Sequence, residues 1–168
     1  MFKKILLVAA MLNPMLASAQ TLKIGLVDFQ EIISKMPEAA DADKQVSETS
    51  KKYEEEFSKL QDEMKRKVED YQNMSQDELP AIKERKAREL QDYQTKIEQF
   101  SQNAMQDLQQ MQAQLMQPIY QKVRTAVDAV GKEGSFSLIQ MYDQSLTLFY
   151  ASPVVNITDD VKAKLGIK

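Results

Sequence analysis

The side chains able to do chemistry in this sequence are few, and their kinds narrow what it can be. The 168 residues contain no His and no Cys. Imidazole acid–base catalysis, thiol nucleophiles, disulfide frameworks and zinc sites built on those ligands are therefore excluded. The four glycines are Gly25, Gly131, Gly134 and Gly166, so residues 26–130 have none. A phosphate-cradling loop needs backbone approach free of a Cβ, and no such loop fits in that stretch. Carboxylates remain. Asp28 precedes a short helix with no paired base or nucleophile nearby, which suits a helix cap better than a catalyst. Asp159 and Asp160 lack the spaced array of further oxygens that a calcium loop supplies. No catalytic residue, metal or cofactor is expected, and the chain reads as a non-enzyme.

The other distinctive chemistry is weak and adaptable. Residues 99–117 hold eight Gln and a single charge, Asp107. A neutral amide-rich wall carrying flexible, polarizable Met can contact many sequences loosely, which makes Met105, Met116, Gln109 and Gln112 the candidate contact residues. The competing reading is a solvated helix face whose methionines complete a seam, as Met111 does. With 22 Lys and Arg against 25 Asp and Glu, the formal charge is −3. Nucleic acid is not an expected partner, since binding it needs a concentrated basic face.

These residues need elements to position them. Residues 20–36 contain an alternating run, with Leu22, Ile24 and Leu26 on one face, and then a short helical turn stopped by Pro37. Residues 136–142 and 146–150 read as two strands with a hairpin loop at 143–145. Thr158 is placed as an N-cap with acids in the first turn behind it, and Gly166 ends that helix. Three strands and a short helix bury little core alone, so self-association is expected.

Between Pro37 and Gly131 the composition is helical. The one break is Asn73-Met74-Ser75-Gln76-Asp77-Glu78-Leu79-Pro80, in which Ser75 and Glu78 fit a capping box and Pro80 suits a first helical turn. Two helices follow, over about 38–73 and 79–130, on the order of 50 Å and 75 Å long. A turn centred on Gln76 and Asp77 predicts facing residues whose numbers sum to about 153 or 154. Apolar residues obey that rule from Tyr71 with Ile82, through Leu60 with Tyr93 and Tyr53 with Phe100, to Ala39 with Leu115. Independent helices have no reason to mirror each other. The spacing of Tyr53, Phe57, Leu60, Met64, Val68 and Tyr71 repeats every 11 residues, which implies a nearly straight pair. The expected fold is α+β: a small oligomerising β body at 20–37 and 131–168, and a long antiparallel coiled-coil hairpin prong at 38–130 with its tip at 74–79. Pro118 lies inside the second helix as a hinge or a fixed kink. Ser75, Asp77, Glu78 and Pro80 form the tip.

The first 19 residues carry Lys3 and Lys4, an apolar run from Ile5 to Leu12, and Ala17-Ser18-Ala19 before Gln20. That three-part pattern reads as a signal peptide cleaved near Ala19. The mature chain is expected to be exported.

The order of these parts resembles a known family. IGLVDFQEIISKMPE follows the signal, then come the hairpin, QLMQPIYQKVRTAVDAVGKEGSFSLI and LFYASPVVNITDDVKAKLGIK. Together they resemble the Skp (OmpH-like) family of periplasmic chaperones over essentially the whole mature chain. Anchors include Gln117-Pro118-Ile119, Gly134 and Asn156-Ile157-Thr158-Asp159. The resemblance implies a homotrimer in which a small β-barrel body joins three subunits and the prongs enclose a cavity for unfolded outer-membrane proteins. It also implies that Ile24, Leu26, Phe136, Leu138, Leu148 and Tyr150 build the trimeric barrel. The implied activity is that of an ATP-independent periplasmic holdase, which prevents aggregation before membrane insertion.

One departure from the family concerns charge. Its members have basic prong tips associated with lipopolysaccharide or anionic lipid, whereas residues 62–89 here hold seven basic and eight acidic side chains. Membrane or lipopolysaccharide contact is not carried over to this near-neutral tip. Lys65, Arg66 and Lys67 face Lys83, Arg85, Lys86 and Arg88 in a belt, but acids alternate with them. The alternative function, from a different class, is a structural coiled-coil spacer or adaptor in the cell envelope.

Overall fold

The computed structural model describes residues 22–143 and 149–167. The elements run β1 (Ile24–Val27), α1 (Phe29–Lys35), α2 (Pro37–Gln72), α3 (Pro80–Glu133), β2 (Leu138–Met141), β3 (Val154–Asn156) and α4 (Thr158–Leu165). The molecule is mostly helical, with one small parallel sheet.

The strands form a sheet of order β2-β1-β3. β1 is the centre and pairs in parallel on both sides, with Ile24 opposite Leu138 and opposite Val154. The ladder extends through Ser137 N to Lys23 O, Tyr142 N to Val27 O and Ile157 N to Leu26 O, each 2.8 Å. Of the hairpin expected from 136–142 and 146–150, the first run supplies β2, which pairs with β1, while residues 144–148, with most of the loop and of the second run, lie outside the described residues. The third strand is Val154–Asn156, for which the expected elements had no place. The alternation expected in β1 is also absent, because Gly25, Leu26 and Val27 are all buried. A central parallel strand is covered by neighbours on every side and loses its polar face. Gly25 is needed here for close approach. A Cβ there would lie 3.1 Å from Ile139, 3.2 Å from Phe136 and 3.3 Å from Ile157.

α1 starts where Asp28 Oδ1 accepts a hydrogen bond from Glu31 N at 2.8 Å, the cap its position suggests. It stops at Met36, whose extended backbone (φ −80°, ψ 125°) precedes Pro37 at the start of α2. α2 and α3, of 36 and 54 residues, are about 54 Å and 80 Å long at the α-helical rise. The connection between them does not use the expected capping box. The Ser75 hydroxyl accepts from Asp77 N and the Ser75 carbonyl from Glu78 N, while Leu79 takes the N-cap position without a side-chain bond. Ser75 thus closes a local turn four residues too early to cap α3. Pro80 begins that helix.

Two apolar clusters divide the buried residues. In the larger, Val27 from the sheet meets Ile32, Ile33 and Met36 around α1, Ala39 and Ala42 of α2, Ile119 to Val130 of α3, and Ile157 and Val161 at α4. The smaller joins Leu60 of α2 to Tyr93 and Ile97 of α3, flanked by Phe57, Met64 and Phe100. Contacts between the long helices pair rising numbers on α2 with falling numbers on α3. Glu38 meets Lys122, the Tyr53 ring lies 5.9 Å from that of Phe100, and Glu63 meets Tyr93. Thr158 locks α4 to the start of α1. Its hydroxyl donates to Asn156 Oδ1 and accepts from Asp28 N at 2.9 Å. Thr158 is therefore the first helical residue rather than the cap, with Ile157 before it.

Candidate functional site

Where α1, α2 and α3 converge, a cleft of about 750 Å³ opens beside the larger cluster. Its origin is local. Pro37 starts α2 as a helix separate from α1, and the small side chains of Ala39, Ala40 and Ala113 leave the space between the three helices unfilled. α3 contributes Gln109, Gln112, Ala113, Met116 and Tyr120, spaced by 3, 1, 3 and 4 along one helical face. α1 contributes Gln30, Ile33 and Ser34, and α2 adds Asp43. The Tyr120 ring stacks on Phe29 with centroids 6.4 Å apart.

Three of the four contact candidates named from sequence, Gln109, Gln112 and Met116, line this cleft together. Met105 does not. It stands on an open part of α3 with 62 % of its surface exposed. Met116 is half-buried and also packs on the larger cluster, as does Leu115. The walls given by α1 and the ring of Tyr120 were missed by sequence reasoning. Tyr120 follows Met116 by four residues, and that spacing was the available signal. Nothing local marks Gln30 or Ile33 as neighbours of Gln109.

Pro118 lies between Met116 in the cleft and Ile119 in the core, and α3 continues through it. The tip residues Ser75, Asp77 and Pro80 are exposed, Glu78 is half-buried, and Leu79 beside them is 64 % exposed. The body candidates divide. Ile24, Leu26 and Leu138 share the face of the sheet opposite Gly25 and Val27, since parallel partners in register point the same way. Phe136 packs on the helix side. Tyr150 is exposed, its ring edge-on to Tyr142 at 5.6 Å. Leu148 lies outside the described residues, as do residues 1–21 and the expected cleavage point.

The one charge in the stretch from 99 to 117 is engaged, because Asp107 Oδ2 accepts a hydrogen bond from the Tyr53 hydroxyl at 2.9 Å. That bond raises the phenol's pKa. Further along, the Tyr93 hydroxyl donates to Glu63 Oε2 at 2.6 Å between Lys67 and Lys96, whose ammoniums sit 5.2 Å from the Tyr93 ring centroid. The bond to Glu63 pushes the Tyr93 phenol up to about 12 and draws the Glu63 carboxyl below its ordinary value. At the base, the Lys122 ammonium donates to Glu38 and lowers that carboxyl likewise. Lys162 is held protonated to higher pH by Asp159 and Glu31. In the basic belt, Lys67 meets Glu63, Arg85 and Lys86 meet Glu89, and Arg88 meets Glu84. Lys83 donates to the Gln76 carbonyl at 2.9 Å. Those cations are engaged along their own helices or, for Lys83, by the connection before α3.

Asp28 is an occupied cap, and Asp159 is paired with Lys162 at 2.7 Å. Among the described residues no helix is long and apolar enough to cross a membrane. A family model described as outer membrane protein (OmpH-like) matches residues 23–165, a span that takes in the whole of the sheet and all four helices. No curated protein matches the chain.

Proposed function

The chain belongs to the OmpH-like outer membrane protein family, and from that membership we propose that it is an ATP-independent periplasmic holdase. It binds unfolded outer-membrane proteins between the prongs of a homotrimer and keeps them from aggregating before they insert. The observation that carries this reading is the family match across both the sheet and the long helices. The family is one of chaperones associated with outer-membrane proteins.

In this reading α2 and α3 form an antiparallel coiled-coil prong, and the strands with α1 and α4 form the body. Support for the prong comes from the falling-with-rising pairing of contacts and from the smaller cluster, which only the two long helices build. Support for a shared body comes from the sheet. Among the described residues β2 and β3 are edge strands, and Leu138, Met141 and Val155 on them are 53 %, 66 % and 43 % exposed. Open, apolar edges are unfavourable in a protein that works alone and are covered by association. Three copies closing into a barrel would place Ile24, Leu26, Leu138 and Tyr150 inside it. Residues 1–19 act as the export signal and leave after Ala19.

The mechanism is mass action. Confinement and many weak contacts lower the free concentration of an aggregation-prone chain, so no nucleotide and no catalytic residue is required. Gln109, Gln112, Met105 and Met116 are the proposed contact residues. Pro118, next to the core, sets how the prong leaves the body. The test is the turbidity of a urea-denatured outer-membrane β-barrel diluted into buffer. The mature protein should abolish it at a small molar excess, equally with and without ATP. Turbidity that develops as in buffer alone overturns the proposal.

A further inference from the structure

We propose that the cleft at the junction of α1, α2 and α3 seats one extended client segment whose side chains alternate apolar and polar, with a basic residue among them. The inference rests on the holdase reading and specifies what that surface selects.

Shape and chemistry point to this occupant. The floor is apolar, from Ile33, Ala39 and Met116, and the rim is amide, from Gln30, Gln109 and Gln112. An extended strand turns successive side chains to opposite faces, so its apolar set can enter the floor while its polar set remains in water. Amide side chains both donate and accept, which matches the unpaired N–H and C=O groups along the edge of such a strand. Strands destined for outer-membrane barrels have this alternation. The volume of about 750 Å³ lies within the range of clefts that take a small ligand.

Charge fixes the second preference. Among the described residues Asp43 is the only charged side chain lining the cleft. Nearby, Lys44 lies 4.0 Å from Glu48 and Glu38 is paired with Lys122. Asp43 has no ion pair or hydrogen-bonded side-chain partner among the described residues. A lone carboxylate on a neutral rim attracts a Lys or Arg and repels an acid.

The experiment uses the mature protein and labelled eight-residue peptides of alternating Leu and Thr, with Lys, Gln or Glu at one central polar position, read by fluorescence anisotropy. Affinity should fall in the order Lys, Gln, Glu, with Lys over Glu by about fivefold at low salt, the size of an exposed charge pair. Asp43→Asn should erase that order and Asp43→Lys should invert it. Ala40→Trp and Ala113→Trp, both at exposed positions, should fill the cleft and weaken all three peptides by about tenfold. Tryptophan variants that bind as the parent does overturn the proposal. A parent that keeps a barrel protein soluble but binds the three peptides alike overturns the cleft's role and leaves the holdase reading intact. A parent that sorts the peptides yet lets the barrel protein aggregate overturns the holdase reading instead.

Discussion

The two apolar clusters use similar residues and differ in how completely they exclude water. At the body end Ile32, Val123, Ile157 and Val161 have no exposed surface, because a sheet and four helices converge on them. Along the long helices Leu60, Tyr93 and Ile97 retain 6 %, 9 % and 9 %. A pair of helices leaves every seam side chain with open flanks, so it reaches near-burial and no further. Polar ties supplement that thin seam, with Tyr93 to Glu63 and Tyr53 to Asp107 placed along it and Glu38 to Lys122 closing its base. Stability is therefore concentrated in the body, and the long helices can loosen locally without unfolding it. That division suits the proposed holdase, in which long arms would accommodate clients of differing size while the body holds the assembly together.

The largest test of the contrast is Ile157→Ala. The site is fully enclosed and cannot collapse easily, so the cost should be about 3–5 kcal/mol by urea unfolding. A cost below 1 kcal/mol would show that the body is not the stable half. Leu60→Ala should cost less, about 2–3 kcal/mol, because a two-helix seam can close over the gap. Its effect should appear as faster amide exchange confined to α2 and α3, and exchange rising equally in β1 would erase the distinction. Gly25→Ala is next, at about 1–2 kcal/mol, since Ile139, Phe136 and Ile157 must each yield slightly.

A pH titration sharpens the comparison further. Glu63 has its pKa lowered in the folded state, so its contribution is present above the ordinary carboxylate pKa and is lost as pH falls through the lowered value. Tyr93 is raised to about 12, so its contribution is present below the ordinary phenol pKa and is lost as pH rises through about 12. Amide exchange near residues 60 and 97, corrected for its intrinsic pH dependence, should show acid loosening of the seam. Tyr93→Phe should flatten that profile, and an unchanged profile would remove the bond from the account. The smallest effect belongs to Glu38→Gln at an exposed bridge. The unfolding midpoint should not move measurably, while exchange near Ala39 rises about twofold.

The long helices were legible because their limits are chemical and local, with Pro37 at one end and the Asn73 to Pro80 break at the other. The mirrored apolar spacing also named Tyr53 with Phe100 as neighbours, and their rings are in contact. The sheet was not legible in the same way. β3 has three residues, and its partner in β1 is some 130 positions away, so no local periodicity announces it. β1 itself was read as a strand, but its burial on both faces leaves no polar face, so local alternation gave no sign of its central place or its parallel pairing. Thr158 reads as a cap from its own neighbourhood, yet its hydroxyl serves Asp28 across that same distance. At the cleft, the α3 face was visible in the Gln and Met spacing. Its opposite walls were not, because they depend on the separation of α1 and α2 at Met36 and Pro37.

The measurement that bears most directly on the whole account is the light-scattering mass of the mature protein, alone and after adding a urea-diluted outer-membrane β-barrel. The account predicts a particle of three chains that grows by one client and stays in solution. A monomer or dimer that leaves the client to precipitate would contradict it, and a coiled-coil spacer would take its place.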